Sequence, residues 1–213
     1  MDDFLAYTAT KNIDLGPKRL EHFKTYLTVL LEWNEKMNLT GIKDPEDIWR
    51  KHFLDSLTVL EAIPASTRRV IDIGTGAGFP GLPLAIVRPD LEVVLLEATG
   101  KKVKFLEHVI LTLGLKNVTA IHGRAELVSK EKMHRERFDV VLARAVAMLP
   151  VIAGYALPFL KKGGVLIAQK KLSTDEKLAS EEEVVKLGGS MKEAIALNIP
   201  ALPDRELVVV EKL

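Results

Sequence analysis

Between Pro17 and Met37 the apolar side chains Leu20, Phe23, Leu27, Leu30, Leu31 and Trp33 recur mostly at three- and four-residue steps, the spacing of one face of an amphipathic helix. Asn38, Leu39, Thr40 and Gly41 end that pattern. Asp44 then offers an N-cap, Pro45 suits the first helical position, and Glu46 and Asp47 favour the positive end of a second helix predicted to run to about Leu60. The stretch IPASTRR reads as a linker. Residues 1–65 are therefore expected to form an N-terminal helical segment packed on a main domain of residues 66–213.

Beyond the linker the pattern changes to short apolar runs alternating with helical ones. Strands are predicted at Arg69–Ile73, Glu92–Leu96, Val118–Ile121, Phe138–Leu142 and Gly164–Ala168, with helices near Leu82–Val87, Lys101–Leu113, Glu126–Lys132 and Leu149–Leu160. Such alternation means right-handed crossovers and a parallel sheet. Met191–Asn198 and Glu206–Glu211, joined by the turn-rich IPALPDR, add a terminal antiparallel hairpin. The expected fold is α/β: a mostly parallel, Rossmann-like sheet of seven strands carrying an N-terminal helical extension.

The first predicted strand runs straight into a glycine-rich loop, VIDIGTGAGFPGLPLAI, with four glycines and two prolines. In an open parallel sheet the carboxyl end of a strand near the reversal of strand order is where ligands bind. Gly74, Gly76 and Gly78 let the backbone turn sharply and approach a ligand closely, and Pro80 fits the start of the next helix. The spacing selects among ligands. A dinucleotide fingerprint needs a third glycine where Phe79 stands, and no Gly-Lys-Ser or Gly-Lys-Thr follows for a phosphate loop. An acidic residue two places before a G-x-G-x-G run, here Asp72, instead points to S-adenosylmethionine, whose binding relies on close backbone contact and not on phosphate. Glu97 closes the second strand about 20 residues further on, where a carboxylate can accept both ribose hydroxyls; the other reading is a cap for the helix beginning near Gly100.

Composition narrows the picture further. Cysteine is absent, which removes disulfides, thiolate metal sites and thiol nucleophiles together, and no histidine pair has metal-ligand spacing. A net charge of +1 argues against a broadly basic nucleic-acid binder, so any RNA surface must be local. No run approaches the roughly 18–20 apolar residues of a membrane span, and the acidic, polar start is unlike a signal peptide. A cytoplasmic, monomeric protein is expected.

Five further stretches, EWNEKMNLTGIKDPEDIWRKHFLDSL, IDIGTGAGFPGLPLAI, LEATGKKVKFLEHV, HGRAE and ARAVAMLP, follow one another in an order that resembles the bacterial 16S ribosomal RNA guanine-N7 methyltransferases, the RsmG or GidB family. The resemblance implies a class I S-adenosylmethionine-dependent methyltransferase whose substrate is 16S ribosomal RNA, the small subunit or one of its assembly intermediates. It also implies that Gly74 and Phe79 line the cofactor, that Ala125 and Glu126 meet its adenine, and that Arg144 reaches the site from the fourth strand. A backbone N–H of Ala125 and the Glu126 carboxylate can together read an adenine edge, although an acid in a helix's first turn is common for other reasons. Arg144 can pair with the cofactor carboxylate or an RNA phosphate, or simply end its strand in water. Asn38, His52, Asp55 and Ser56 can frame the cleft mouth, while His52, set between Trp49 and Phe53, can equally be a packed histidine.

Guanine N7 carries an in-plane lone pair and no proton, so methyl transfer to it needs no general base, and no catalytic side chain is assigned. Orientation and exclusion of water carry the rate. The target base is expected in a loop or opened structure, because N7 lies in the deep, narrow groove of an RNA helix. Lys101, Arg124, Lys170 and Lys171, together with Arg144, are the cations expected near the crevice mouth. Two other readings stay open: a protein or small-molecule acceptor for the methyl group, or a nucleotide-binding module without catalysis.

Overall fold

The long apolar runs VVLL and VLIA belong to strands covered on both faces, which is why they show little polar alternation. A computed structural model describes residues 1–144, 147–170, 174–192, 194–203 and 205–213, with 174–178 as backbone alone. Five parallel strands make the centre: β1 (Arg69–Ile73), β2 (Glu92–Glu97), β3 (Val118–His122), β4 (Phe138–Arg144) and β5 (Leu160–Gln169). Three more, β6 (Gly189–Met191), β7 (Ile195–Leu197) and β8 (Arg205–Lys212), are antiparallel additions. The order is β3-β2-β1-β4-β5-β8-β6, with β7 also on β8, so the direction of winding reverses between β1 and β4.

Among the described residues the strand expected over Met191–Asn198 is replaced by two short ones, β6 and β7, giving eight strands and not seven. Met191 pairs with Val210 but Ile195 with Leu207, a one-residue slip in register that interrupts the run predicted as continuous.

Alternate strand residues face two cores. Val70, Val93, Leu95, Val140 and Leu142 pack with α2 (Gly16–Met37), α5 (Gly81–Val87) and α6 (Gly100–Leu113). Ile71, Ile73, Val94, Leu96 and Val141 face α8 (Leu149–Ala156) and Val184 of α9 (Thr174–Lys186). The predicted helix near Glu126–Lys132 is only the single turn α7 (Ala125–Val128). Helix α1 (Asp2–Thr10) and α9 escape prediction because each buries few residues: Phe4, Tyr7 and Thr8 in α1, and Ser180 and Val184 in the described part of α9.

The N-terminal segment joins the first of these cores continuously, through Phe4, Phe23, Tyr26, Trp49 and Phe53. Asp44 caps as predicted, its Oδ1 accepting from Asp47 N–H at 2.9 Å. The second helix is not uniform, however. It runs as α3 (Pro45–Ile48), a wider π-helical stretch over Trp49–Leu54, α4 (Asp55–Leu57) and a 3-10 turn over Thr58–Glu61. Within it Trp49 and Phe53 pack on Phe4 and Phe23, with ring centroids 5.0 and 5.2 Å apart, while His52 and Asp55 meet side chains at the sheet's carboxyl edge. Such π turns recur at functional sites.

Candidate functional site

The glycine loop leaves β1 beside the reversal of strand order. Gly74 and Thr75 donate their N–H groups to the Leu96 carbonyl at 2.9 and 3.2 Å, which pins the loop's start to β2. Gly74, Gly76 and Gly78 all have positive φ (65°, 62° and 97°), a conformation in which a Cβ is strained. Their surroundings differ. A Cβ on Gly76 would meet no atom within 4 Å, whereas one on Gly78 would lie 2.4 Å from Leu82 Cδ1 and 2.7 Å from the Tyr26 hydroxyl. Gly76 therefore borders open space and Gly78 borders protein.

Asp72 lies beneath this loop, fully buried. Its Oδ2 accepts from Thr75 Oγ1 at 2.6 Å and from Gly81 N–H at 2.8 Å, while Oδ1 has no partner. Burial pushes its pKa up to about 7, against the opposing pull of those two hydrogen bonds. Glu97 stands on the other side: Oε2 accepts from Gly76 N–H at 2.9 Å and Oε1 from Thr99 N–H at 2.8 Å. Each oxygen keeps a lone pair for a further donor, so both readings of Glu97 have a physical basis in one place.

Beside the loop opens a cavity of about 290 Å³ lined by Gly74, Ala98, Arg124, Ala125, Glu126 and Tyr155, among others. Larger hollows exist, about 570 Å³ between α2 and the α6–β3 turn and about 440 Å³ beneath α1. Neither these nor a hollow of about 370 Å³ between α8 and α9 lies at the carboxyl ends of β1 and β2, where an open sheet of this kind presents its ligand crevice; the smaller cavity does. Tyr155 was not anticipated; one aromatic in an otherwise apolar helix carries no sequence signal of its own.

A second cluster joins the N-terminal segment to the strand ends. Arg144 Nη1 donates to Asp55 Oδ2 at 3.1 Å and to the Lys51 carbonyl at 3.3 Å, and Nη2 lies 3.2 Å from His52 Nδ1. A guanidinium has no acceptor lone pair, so Nδ1 of His52 must accept and the ring proton sits on Nε2, 2.7 Å from Thr40 Oγ1. Burial, helped by the Arg144 charge, lowers the His52 pKa to about 4, and the imidazole is neutral at pH 7. Thr40 is itself held by Asn34, whose side chain bonds the Thr40 backbone N–H and carbonyl at 2.9 and 3.0 Å.

The Phe79 ring is buried in this cluster, not turned toward the cavity. It stacks on His52 (centroids 4.5 Å apart, 17° between planes) and on Tyr26 (5.4 Å), and Arg144 Cζ lies 5.1 Å from its centre. The Tyr26 hydroxyl donates to the Ala77 carbonyl, tying the N-terminal segment to the glycine loop. Ser56, also expected at the mouth, is buried and donates to the His52 carbonyl at 2.6 Å.

Asn38 ends α2 with φ +49°, the left-handed conformation that asparagine tolerates, and its side chain is exposed. Lys101 is exposed in the first turn of α6 and Arg124 is exposed at the cavity rim. Lys170 follows β5, its N–H donating to the Glu206 carbonyl at 3.2 Å. Lys171 lies outside the described residues. The structure thus places Gly74, Ala125 and Glu126 on the cavity wall, joins Gly76 to Glu97 beside it, buries Asp72 beneath the glycine loop, and gathers His52, Phe79 and Arg144 behind that loop. Arg205 belongs to this second group as well, and nothing local in its sequence marks it.

A parallel sheet reversing at β1/β4, with an antiparallel edge, a bare glycine loop after β1 and a carboxylate at the end of β2, defines the class I methyltransferase fold. In agreement, the solved structure of M. jannaschii TYW2 in complex with AdoMet superposes with a TM-score of 0.58 over 75% of this chain and 77% of that one, at 19% identity. The profile of the family described as "GidB: rRNA small subunit methyltransferase G" matches residues 19–208. Ribosomal RNA small subunit methyltransferase G of Acetivibrio thermocellus is 44% identical over 200 residues, covering 94% of this chain and 83% of its own. That of Leuconostoc citreum is 40% identical over 216 residues, covering 100% and 90%. The chain belongs to this methyltransferase G family.

Proposed function

We propose that this protein transfers the methyl group of S-adenosylmethionine to N7 of a guanine in small-subunit ribosomal RNA. The observation that carries the reading is the 40–44% identity to ribosomal RNA small subunit methyltransferases across nearly the whole chain. The crevice fits the cofactor on its own terms. Gly76 faces space that a single added carbon would enter, and Glu97 presents two carboxylate oxygens, each with one backbone partner and capacity for another. Glu97 would take the ribose hydroxyls, Ala125 and Glu126 the adenine edge, and the backbone of Gly74–Gly78 the methionine part. Bound there, S-adenosylmethionine supplies an electrophilic methyl group on a cationic sulfur.

The remaining work of the protein is orientation. A nucleophile that needs no deprotonation places no demand for a base on the site. His52 has its Nδ1 lone pair committed to Arg144 and its Nε2 proton to Thr40, so it holds neighbours in place and takes no proton. Asp72 acts through the loop above it, bracing Thr75 and Gly81. Phe79 acts likewise, as the ring against which Arg144 and His52 lie. Lys101, Arg124 and Lys170 supply RNA-facing charge, in keeping with a chain whose net charge is only +1. No helix among the described residues is long and apolar enough to cross a membrane.

The test is transfer of a labelled methyl group to purified small subunits lacking the modification, followed by nucleoside mass spectrometry. Label recovered as 7-methylguanosine supports the reading. Label on another nucleoside or on ribosomal protein reassigns the acceptor, and cofactor binding without any transfer leaves a nucleotide-binding module.

A further inference from the structure

A single buried aspartate at the junction of the helical segment and the sheet meets three strand ends, two through its carboxylate and one through its backbone carbonyl. Asp55 has a side chain 1% exposed. Its Oδ2 pairs with Arg144 Nη1 at 3.1 Å, and its Oδ1 lies 3.0 Å from Arg205 Nε. Its backbone carbonyl accepts from Gln169 Nε2 at 2.5 Å. Arg144 ends β4, Gln169 ends β5 and Arg205 begins β8; the pairing Arg144↔Gln169 and Gln169↔Leu207 sets all three along the same edge of the sheet. Two guanidinium groups drawn to one place repel each other, and one carboxylate between them makes the arrangement possible. Removing that charge leaves an uncompensated pair, costly above all for Arg144, whose side chain is 16% exposed against 40% for Arg205.

Arg144, held this way, has little freedom left. Its second nitrogen reaches His52 and its carbon lies over the Phe79 ring. We infer that Asp55 is a positioning residue: acting through Arg144, it locks the guanidinium against His52 and Phe79, so that the crevice takes its working shape only when the N-terminal helical segment is docked. The part of this that concerns methyl transfer rests on the function proposed above; the part that concerns His52 does not.

The experiment compares full-length wild type, Asp55→Asn, Arg144→Gln and the double variant by two independent measurements. The first is the imidazole nitrogen NMR spectrum of His52, with the melting temperature as a check of fold. In wild type the Nδ1 resonance reports a hydrogen-bonded, unprotonated nitrogen. Asp55→Asn is expected to shift it toward its position in Arg144→Gln, because the guanidinium no longer has its anchor. The second is methyl transfer to small subunits, where Asp55→Asn should lower kcat about 100-fold, the scale of a misplacement of about 1 Å. The double variant should be no worse than Arg144→Gln alone, since both changes break one linkage. A His52 resonance unchanged by Asp55→Asn overturns the inference, as does a double variant a further 10-fold less active than Arg144→Gln. Should Asp55→Asn alone fail to fold, the double variant compared with Arg144→Gln decides. Wild-type protein that leaves small subunits unmethylated defeats the proposed function instead, and the imidazole spectra then decide the role of Asp55 by themselves.

Discussion

Replacing Gly76 and Gly78 by alanine, one at a time, should separate ligand space from packing space within a single loop. Both residues have positive φ, so each alanine carries the left-handed strain of an L-residue, about 1–2 kcal/mol. At a domain of this size that lowers Tm by roughly 2–8 °C. Gly76→Ala adds nothing further to the empty protein, because its Cβ would meet no atom within 4 Å. With the cofactor placed as proposed, the methyl group takes up space that the cofactor needs against the backbone, and Kd for S-adenosylmethionine should rise at least ~10-fold, equivalent to about 1.4 kcal/mol. Gly78→Ala drives its Cβ to 2.4 Å from Leu82 Cδ1 and 2.7 Å from the Tyr26 hydroxyl, both fully buried side chains. Overpacking of that kind costs another 1–3 kcal/mol or so, for a total Tm loss of roughly 4–20 °C. Differential scanning calorimetry and isothermal titration calorimetry on the two variants give both numbers. Wild-type affinity in Gly76→Ala, or a cofactor-specific loss in Gly78→Ala with an unchanged Tm, would refute the assignment of which side of the loop faces the ligand.

Three other outcomes are expected. Asp72 has a folded-state pKa raised to about 7 from 3.8, so the folded form binds more protons across that interval and its contribution to stability declines as pH rises from about 4 to 7. Asp72→Asn, which keeps an acceptor for Thr75 and Gly81, should gain stability relative to wild type in urea melts as pH rises through that window; parallel pH profiles would contradict the burial argument. Glu97→Gln should weaken S-adenosylmethionine binding more than ~10-fold, because one of two acceptor oxygens becomes a donor, and should also lower Tm by roughly 2–12 °C, because that donor faces Gly76 or Thr99 N–H; undiminished affinity by calorimetry would exclude Glu97 from the cofactor site. Tyr26→Phe leaves the Ala77 carbonyl without its donor and should cost about 1–3 kcal/mol in chemical denaturation, with faster amide exchange in the glycine loop than at the sheet centre; uniform exchange would argue that Tyr26 does not brace the loop.

Much of this protein is written in short-range pattern. The helix of Gly16–Met37, the five central strands and the Asp44 cap follow from spacings of two to four residues and from the chemistry of one side chain, because backbone hydrogen bonding and the facing of side chains repeat over that range. The glycine loop was legible for the same reason: positive φ is a local property, and Gly74, Gly76 and Gly78 adopt it. The family resemblance could be seen in stretches such as WNEKMNLT and HFLDSL, and the profile match over residues 19–208 agrees with it.

What lies across the chain had to await the fold. Which glycine borders open space and which borders Tyr26 depends on a helix about 50 residues upstream. The Phe79 ring turns toward His52 and Tyr26, a choice that no spacing within the loop encodes. Asp55 meets Arg144 across 89 residues of sequence and Arg205 across 150. Such pairs form because strand order and register bring the ends of β4, β5 and β8 to one edge, and because a buried carboxylate must find its countercharges wherever the fold has placed them. Periodicity specifies which face of an element is buried; only the assembled sheet decides what that face meets.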